Sequence, residues 1–289
     1  MITIFTPTYN RLSKLKHLYS SLCNQTCKSF KWLVIDDGST DHTQEFIYSK
    51  IKESKFEIKY IYQENSGKHV AYNNALDLMD SNSWHVCVDS DDFLTDDAVE
   101  IFYQDIKTID LDYSLIGIVY PKNMGDESWI TANLYNICIP DLKFIHHLNL
   151  ETVILFRPKT FTNLRFPKFK NEVFLSEESI YIDLISRGYF RFKPKYLYSA
   201  VYQKEGLTNS LFTLWVSNYN GTMYTLYKRY SYISNYLFGI NKVKEKIKCL
   251  LNIGAVNISA RKNYLKYTPS LLLSILLSPL ILIWKIVRF

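Results

Sequence analysis

Four short runs rich in β-branched and aromatic residues alternate with amphipathic helical patterns in the first 110 residues, and this constrains the fold more than any other feature. Strand-like runs fall at residues 1–6, 30–35, 58–63 and 85–88. Helical patterns fall at 12–22, from about 41, at 68–79 and at 95–108. The first places Leu12, Leu15, Leu18 and Leu22 on one face, and the last turns Ala98, Val99, Ile101, Phe102 and Ile106 inward. Gln44, three residues after Asp41, predicts a capping-box start for the second helix. Strands alternating with helices of this length predict an α/β fold with a mostly parallel sheet and right-handed crossovers. Ligands bind such sheets outside the carboxyl ends of the strands, so the turns following strands one, two and four should meet in one crevice.

The segment His85-Val86-Cys87-Val88-Asp89-Ser90-Asp91-Asp92 delivers three carboxylates from a buried strand to one of those turns. In extended chain Asp89 and Asp91 point to the same side, where unscreened carboxylates repel each other. A hard divalent cation accepts one or two carboxylates and completes its shell with phosphate oxygens. Acidic residues after a strand also serve as turn formers and helix caps, and taken alone the segment fits either use. No G-x-G-x-x-G follows the first strand, which argues against an NAD-dependent dehydrogenase.

Beyond residue 110 the alternation loosens. Strands are expected at 115–120 and 153–156 across a loop-rich passage through Pro140, a helix at 177–187, strand-like alternation at 190–201, and helices from 211 onward. The 289 residues are 47% hydrophobic, enough for one large domain with an appendage. Five cysteines without a C-x-x-C pair disfavour a disulfide framework or a zinc site, and Cys23 and Cys27 read as ordinary thiols. The amino terminus lacks the basic and apolar regions of an export signal, so a cytoplasmic location is expected.

Charge divides the chain. Residues 201–289 carry twelve Lys and Arg against Glu205 and Glu245, a net of +10; with +6 for the whole chain, residues 1–200 carry −4. Residues 270–284 are apolar apart from serines and Pro279, flanked by Lys262 and Lys266 before and by Lys285 and Arg288 after, with Trp284 at the edge. That run is short for a bilayer span, which needs about 20 apolar residues, and Pro279 should kink it. Peripheral attachment to the anionic inner face of the cell membrane is expected, against a buried terminal helix or a homodimer contact. Nucleic acid is not an expected partner, because no recognised binding module accompanies the charge.

Four motifs occur in order: Pro7-Thr8-Tyr9-Asn10-Arg11, Asp36-Asp37-Gly38-Ser39-Thr40-Asp41, Asn65-Ser66-Gly67-Lys68-His69-Val70-Ala71-Tyr72-Asn73, and Asp89-Ser90-Asp91-Asp92. Together they resemble the inverting family 2 glycosyltransferases, in the variant carrying Gly-Lys-His, over roughly residues 1–210. The resemblance implies the GT-A fold, Rossmann-like with a central sheet flanked by helices, extended here by a carboxyl-terminal helical, membrane-associating region. It implies that Pro7, Thr8 and Tyr9 line the base pocket with Arg11 near the nucleotide. Asp36 would accept a hydrogen bond from the uracil, leaving Asp37 for the turn. Lys68 would address the diphosphate, with His69 in support. Asp89 and Asp91 would hold Mn²⁺ or Mg²⁺ against the diphosphate, with Ser90 between them at the nucleotide, and Asp92 would turn or cap the chain. Glu177 or Glu178 would be the general base, the usual Glu-Asp pair being Glu-Glu here. Gly206-Leu207-Thr208-Asn209-Ser210 would fold over the site.

The organisation read from this is a catalytic domain at 1–210, with a nucleotide-binding half at 1–110 and an acceptor half at 111–210, followed by a basic, Tyr-rich helical extension at 211–289. The expected activity is metal-dependent transfer of a sugar from a nucleotide diphosphate, UDP for preference, to a hydroxyl of a glycan, lipid-linked for preference, in cell-surface polysaccharide synthesis. A non-catalytic nucleotide-sugar-binding module and a sugar nucleotidyltransferase are the alternatives.

Overall fold

A computed structural model describes residues 1–122, 136–148, 151–199 and 211–288. Among these the chain divides into two compact units, one of residues 1–165 and 183–199, the other of 166–182 and 211–288. The linear cut at 210 therefore misses the segment 166–182, which clusters with the later helices. The expected loop at 206–210 lies outside the described residues.

The first unit opens with β1 (Ile2–Thr8), α1 (Leu12–Asn24), β2 (Phe30–Asp36), α2 (Thr43–Ile51), β3 (Glu57–Tyr62), α3 (Lys68–Leu78) and β4 (Trp84–Cys87). It continues through β5 (Phe93–Leu94), α4 (Ala98–Ile109), β6 (Leu115–Pro121), β7 (Asn136–Ile137), α5 (Ile139–Phe144) and β8 (Thr152–Phe156), and ends with β9 (Tyr189–Phe192) and β10 (Tyr198–Ser199). The eight-stranded sheet has the order β3-β2-β1-β4-β8-β6-β9-β7. β1 to β4 are mutually parallel, and β8 runs antiparallel to both β4 and β6. β6 and β9 consequently point the same way as β1 and β4, and β7 is reversed. Six of the eight strands of this sheet thus share a direction, the mostly parallel sheet expected of the alternation.

β1 is buried on both faces, and the alternating direction of its side chains explains the layers. Ile2 and Ile4 of β1 join one core with Leu15, Leu18 and Leu22 of α1, Ile47 of α2 and Phe102 of α4. Phe5 points the other way, edge-on to Tyr72 of α3 at 5.2 Å between ring centroids. Each fully buried side chain of this size contributes about 1.5–3 kcal/mol by leaving water.

Several boundaries differ from the sequence reading. β1 runs on through Pro7 and Thr8 in register with Ile35 and Asp36. Val88 donates to the Phe5 carbonyl and Asp37 to the Thr8 carbonyl, so Phe5 and Pro7 turn their backbone groups toward β4. Pairing with β4 ends at Phe5, so the missing N–H of Pro7 breaks no ladder bond. The capping box predicted for α2 does not form. Its cap is His42, in the left-handed region at φ 63°, with no side-chain bond to the helix's backbone N–H groups. Asp41 instead accepts from the backbone of Leu12, at the start of α1, at 2.8 Å. The run at 190–201 splits at Pro194 into β9 and β10, and β10 pairs with β5 in a separate two-stranded sheet.

The second unit contains the segment 166–182 and, among the described residues, five later helices. α6 (Glu178–Leu184) starts in that segment, followed by α7 (Leu211–Ser217), α8 (Tyr219–Tyr236), α9 (Gly239–Ser259), α10 (Leu271–Leu276) and α11 (Ser278–Arg288). The apolar run at 270–284 is therefore two helices, broken at Leu277, with Pro279 in the first turn of α11 where its missing N–H costs nothing. Among the described residues, no helix is long and apolar enough to cross a membrane.

Candidate functional site

At the carboxyl ends of β1, β2 and β4 the three predicted turns do meet, held by a net of side chain to backbone bonds. Asn10 (φ 49°) donates its N–H to Ser39 Oγ at 2.9 Å, and Thr40 N–H returns a bond to Asn10 Oδ1 at 2.8 Å. Gly38, at φ 92°, turns the acidic loop where a Cβ would sit 2.9 Å from the Asn65 nitrogen, so this turn requires glycine. Gly67 caps α3 at the same φ and presents Lys68 as the first helical residue.

The two acids after β2 are both spent inside the protein. Asp36 is wholly buried; its Oδ1 accepts from Ser39 N–H at 2.8 Å and its Oδ2 from Tyr60 OH at 2.7 Å. Burial, and then the Asp36 carboxylate beside it, push the Tyr60 phenol well up. Asp37 reaches across to the third motif, accepting from Ser66 N–H at 2.8 Å, Gly67 N–H at 2.9 Å and Gln63 Nε2 at 2.6 Å. The sequence reading gave Asp36 to a ligand and Asp37 to the turn; in the structure both shape the turns, and Asp36 has the less exposure of the two.

The acids after β4 are placed differently. Asp89 and Asp91 are partly exposed, and each faces a cation from another motif: Lys68 Nζ lies 2.6 Å from Asp89 Oδ1 and Arg11 Nη1 lies 2.5 Å from Asp91 Oδ2. Burial pushes the Asp89 carboxyl up, but Lys68 and Lys122 outweigh it and bring it to about 2, so it is ionised at neutral pH. Ser90 between them is buried. Thr8 is buried, while Tyr9 is 47% exposed beside the same turn. Pro7 is buried inside β1, one residue before its end, and His69 is buried within α3.

Sequence reasoning missed two members of this cluster. Lys122 follows β6 directly, and its ammonium lies 3.2 Å from Asp92 Oδ2 and 3.9 Å from Asp89 Oδ2. Burial would push that ammonium down; Asp89 and Asp92 reverse the effect and hold it above its ordinary value. Its signal was available, since it follows an apolar strand as Asp36 and Asp89 do, but the direction of β6 depends on β8 intervening. Tyr198 of β10 gave no signal. Its buried hydroxyl donates to Asp92 Oδ2 at 2.6 Å and accepts from Asp89 N–H at 3.0 Å, and the Lys122 ammonium lies 4.4 Å from its ring centroid. Asp92 thus does more than turn the chain: it ties β10 and Lys122 to the acidic loop.

The donor set suits a cation that keeps open positions. Among the described residues no group of three or more His, Cys, Asp and Glu could hold a metal by itself. Asp89 and Asp91 offer two carboxylates, within the number with which Mg²⁺ is commonly held when phosphate and water fill the rest of its shell. Arg11, Lys68 and Lys122 around them are suited to phosphate oxygens, Arg through a planar fork and Lys as point charges.

Glu177 and Glu178 lie in the second unit, at the start of α6. Glu177 accepts from Tyr181 OH at 3.0 Å. Glu178 forms a two-pronged pair with Arg229 of α8, and both side chains are mostly buried. Burial would push the Arg229 guanidinium down, but Glu178 beside it carries it above its ordinary range. Ser176, just before the two glutamates, lines a small pocket with Phe174, Trp215, Thr222 and Arg229.

The model of the family described as glycosyl transferase family 2 matches residues 3–175, more than half of the chain. Glycosyltransferase GlyA of Streptococcus pneumoniae is 26% identical over 276 residues, covering 89% of this chain and 38% of that protein. Chondroitin synthase of Escherichia coli is 31% identical over 139 residues, 47% of this chain and 19% of that protein. The chain thus spans well under two thirds of the length of these relatives. Among solved structures, Staphylococcus aureus TarS 1–349 in complex with UDP-GlcNAc superposes with a TM-score of 0.58 at 15% identity, covering 88% of this chain and 81% of that one. The mannosyltransferase PcManGT of Pyrobaculum calidifontis, in complex with GDP-Man and Mn²⁺, does so at 0.58 and 13%, covering 98% and 82%. These likenesses establish a GT-A type fold.

Proposed function

The chain belongs to glycosyl transferase family 2, and from that premise we propose that it transfers a sugar from a nucleotide diphosphate, UDP in particular, to a hydroxyl of a glycan acceptor with inversion at the anomeric carbon. One observation carries the reading: two carboxylates, Asp89 and Asp91, sit among Arg11, Lys68 and Lys122 at the carboxyl edge of the parallel strands. Each carboxylate has its own cation, so a diphosphate that recruits Arg11, Lys68 and Lys122 frees both acids for a divalent ion. Mn²⁺ or Mg²⁺ held by Asp89 and Asp91 would neutralise charge on the departing nucleoside diphosphate.

The remaining work falls to the chain itself. Pro7, Thr8 and Tyr9 would border the nucleoside, with Ser90 beside the acidic pair and Asp36 holding the floor of the turn. Glu177 or Glu178 would take the acceptor hydroxyl's proton as its oxygen bonds to the anomeric carbon and the bond to the diphosphate breaks. The basic, apolar carboxyl-terminal helices support attachment of a cytoplasmic enzyme to the inner face of the membrane, where a lipid-linked acceptor would meet it. Such an enzyme would serve cell-surface polysaccharide synthesis.

The test is a screen of sugar nucleotides for cation-dependent release of nucleoside diphosphate, with Glu177→Gln and Glu178→Gln alongside. The base, once replaced, should lose transfer while donor binding persists. Release of pyrophosphate would identify a nucleotidyltransferase, and donor binding with no turnover on any acceptor would identify a binding module.

A further inference from the structure

The outer side of α10 and α11 is unlike the rest of the second unit. Ten of the seventeen residues from 271 to 287 are exposed Leu, Ile or Val, among them Leu272 (77% exposed), Leu276 (76%), Ile286 (78%) and Val287 (69%). Spacings of three and four residues link Leu272 to Leu276 in α10, and Leu280, Ile283 and Ile286 in α11, so each helix shows an apolar stripe. The inner side is already satisfied. Ile281 is wholly buried against α9 at Gly254, where an added Cβ would lie 2.6 Å from its Cγ2. Trp284 Nε1 donates to Asn252 Oδ1 of α9 at 2.9 Å, and Ser274 is buried. Packing against α9 therefore fixes the helices with their apolar residues facing out.

Charge indicates the occupant. Residues 246–289 carry seven Lys and Arg and no Asp or Glu. A second copy of the same face would bring like charges together, whereas anionic headgroups above an acyl layer complement both features. Helices of six and eleven residues, interrupted at Leu277, are too short to cross a bilayer. We infer that α10 and α11 lie in the plane of an anionic lipid surface, with Leu272, Leu276, Ile283 and Ile286 inserted among the acyl chains and Lys262, Lys266, Lys285 and Arg288 at the headgroups. This deepens the membrane attachment proposed above by assigning its surface and its mode.

The experiment uses the full chain and vesicles of phosphatidylcholine, alone or with about one third phosphatidylglycerol. The wild type should sediment with the anionic vesicles and be released by salt. Leu272→Glu with Ile286→Glu should lower the bound fraction by about 10-fold or more while keeping the melting temperature and any nucleoside diphosphate release. If the double variant does not fold, a blue shift of tryptophan fluorescence on adding anionic vesicles to the wild type supports the inference, and its absence overturns it. A wild type that stays in the supernatant also overturns it, as does a dimer that the double variant splits without any vesicle binding. Absence of donor turnover by the wild type would instead count against the transferase reading and leave lipid binding intact.

Discussion

After β2 the chain gives its two carboxylates to backbone N–H groups and neighbouring side chains; after β4 it gives two carboxylates to Lys and Arg side chains. Both loops flank β1, and both look alike as strings of Asp and Ser. Their difference lies in exposure and in partner. A buried acid bonded to main-chain N–H groups fixes a loop, because removing it leaves donors unsatisfied. A partly exposed acid paired with a mobile Lys or Arg can change partner when a ligand arrives. The same residue type thus builds the crevice on one side and equips it on the other.

Asp91→Asn should separate the two roles most sharply. Cation-dependent nucleoside diphosphate release should fall by about 10³-fold, equivalent to roughly 4 kcal/mol, with the melting temperature little changed. Full release without added divalent ion would remove the metal role from this pair. For the loop after β2 the effect should move to stability: Asp37→Ala strands the N–H groups of Ser66 and Gly67 and should cost about 2–4 kcal/mol in denaturant unfolding. A fully stable Asp37→Ala that had lost donor binding would reverse the comparison.

His85, beneath the acidic segment in β4, offers a pH test of the same edge. It stacks on Phe156 with centroids 5.1 Å apart, and burial brings its imidazole down to about 3. A depressed folded value means that the unfolded chain binds the extra proton first. The stability it confers is complete above about pH 6.5 and is lost as pH falls through 3, on the order of 5 kcal/mol. His85→Phe should flatten that acid limb in urea unfolding; an unchanged limb would show that other groups set it. Smallest is Tyr60→Phe, which takes one bond from Asp36 and should cost about 1 kcal/mol in stability, with donor affinity within about twofold.

Much of the first unit was legible because its signals are local. Leu15, Leu18 and Leu22 repeat at helical spacing, Gly38 and Gly67 mark backbone that only glycine takes easily, and strand ends hand over to Pro7, Asp36 and Asp89. Lys68 and Arg11 were found through motifs and came to rest on Asp89 and Asp91. The capping role of Asp41 was misread, because its partner, the Leu12 N–H, is 29 residues away. No periodicity records a bond of that range.

The amino-acid order alone determined the alternating α/β plan, the three turns that share an edge and the basic, apolar character of the last helices, since each depends on neighbours within a turn or a strand. Only the tertiary structure decided that β8 runs backwards between β4 and β6 and so brings Lys122 to Asp89 and Asp92. It also divided the four carboxylates flanking β1 between building and holding, and turned the apolar stripe of α10 and α11 away from α9. Those outcomes depend on which distant groups satisfy each charge and cover each face, and chain order does not encode distance across a sheet.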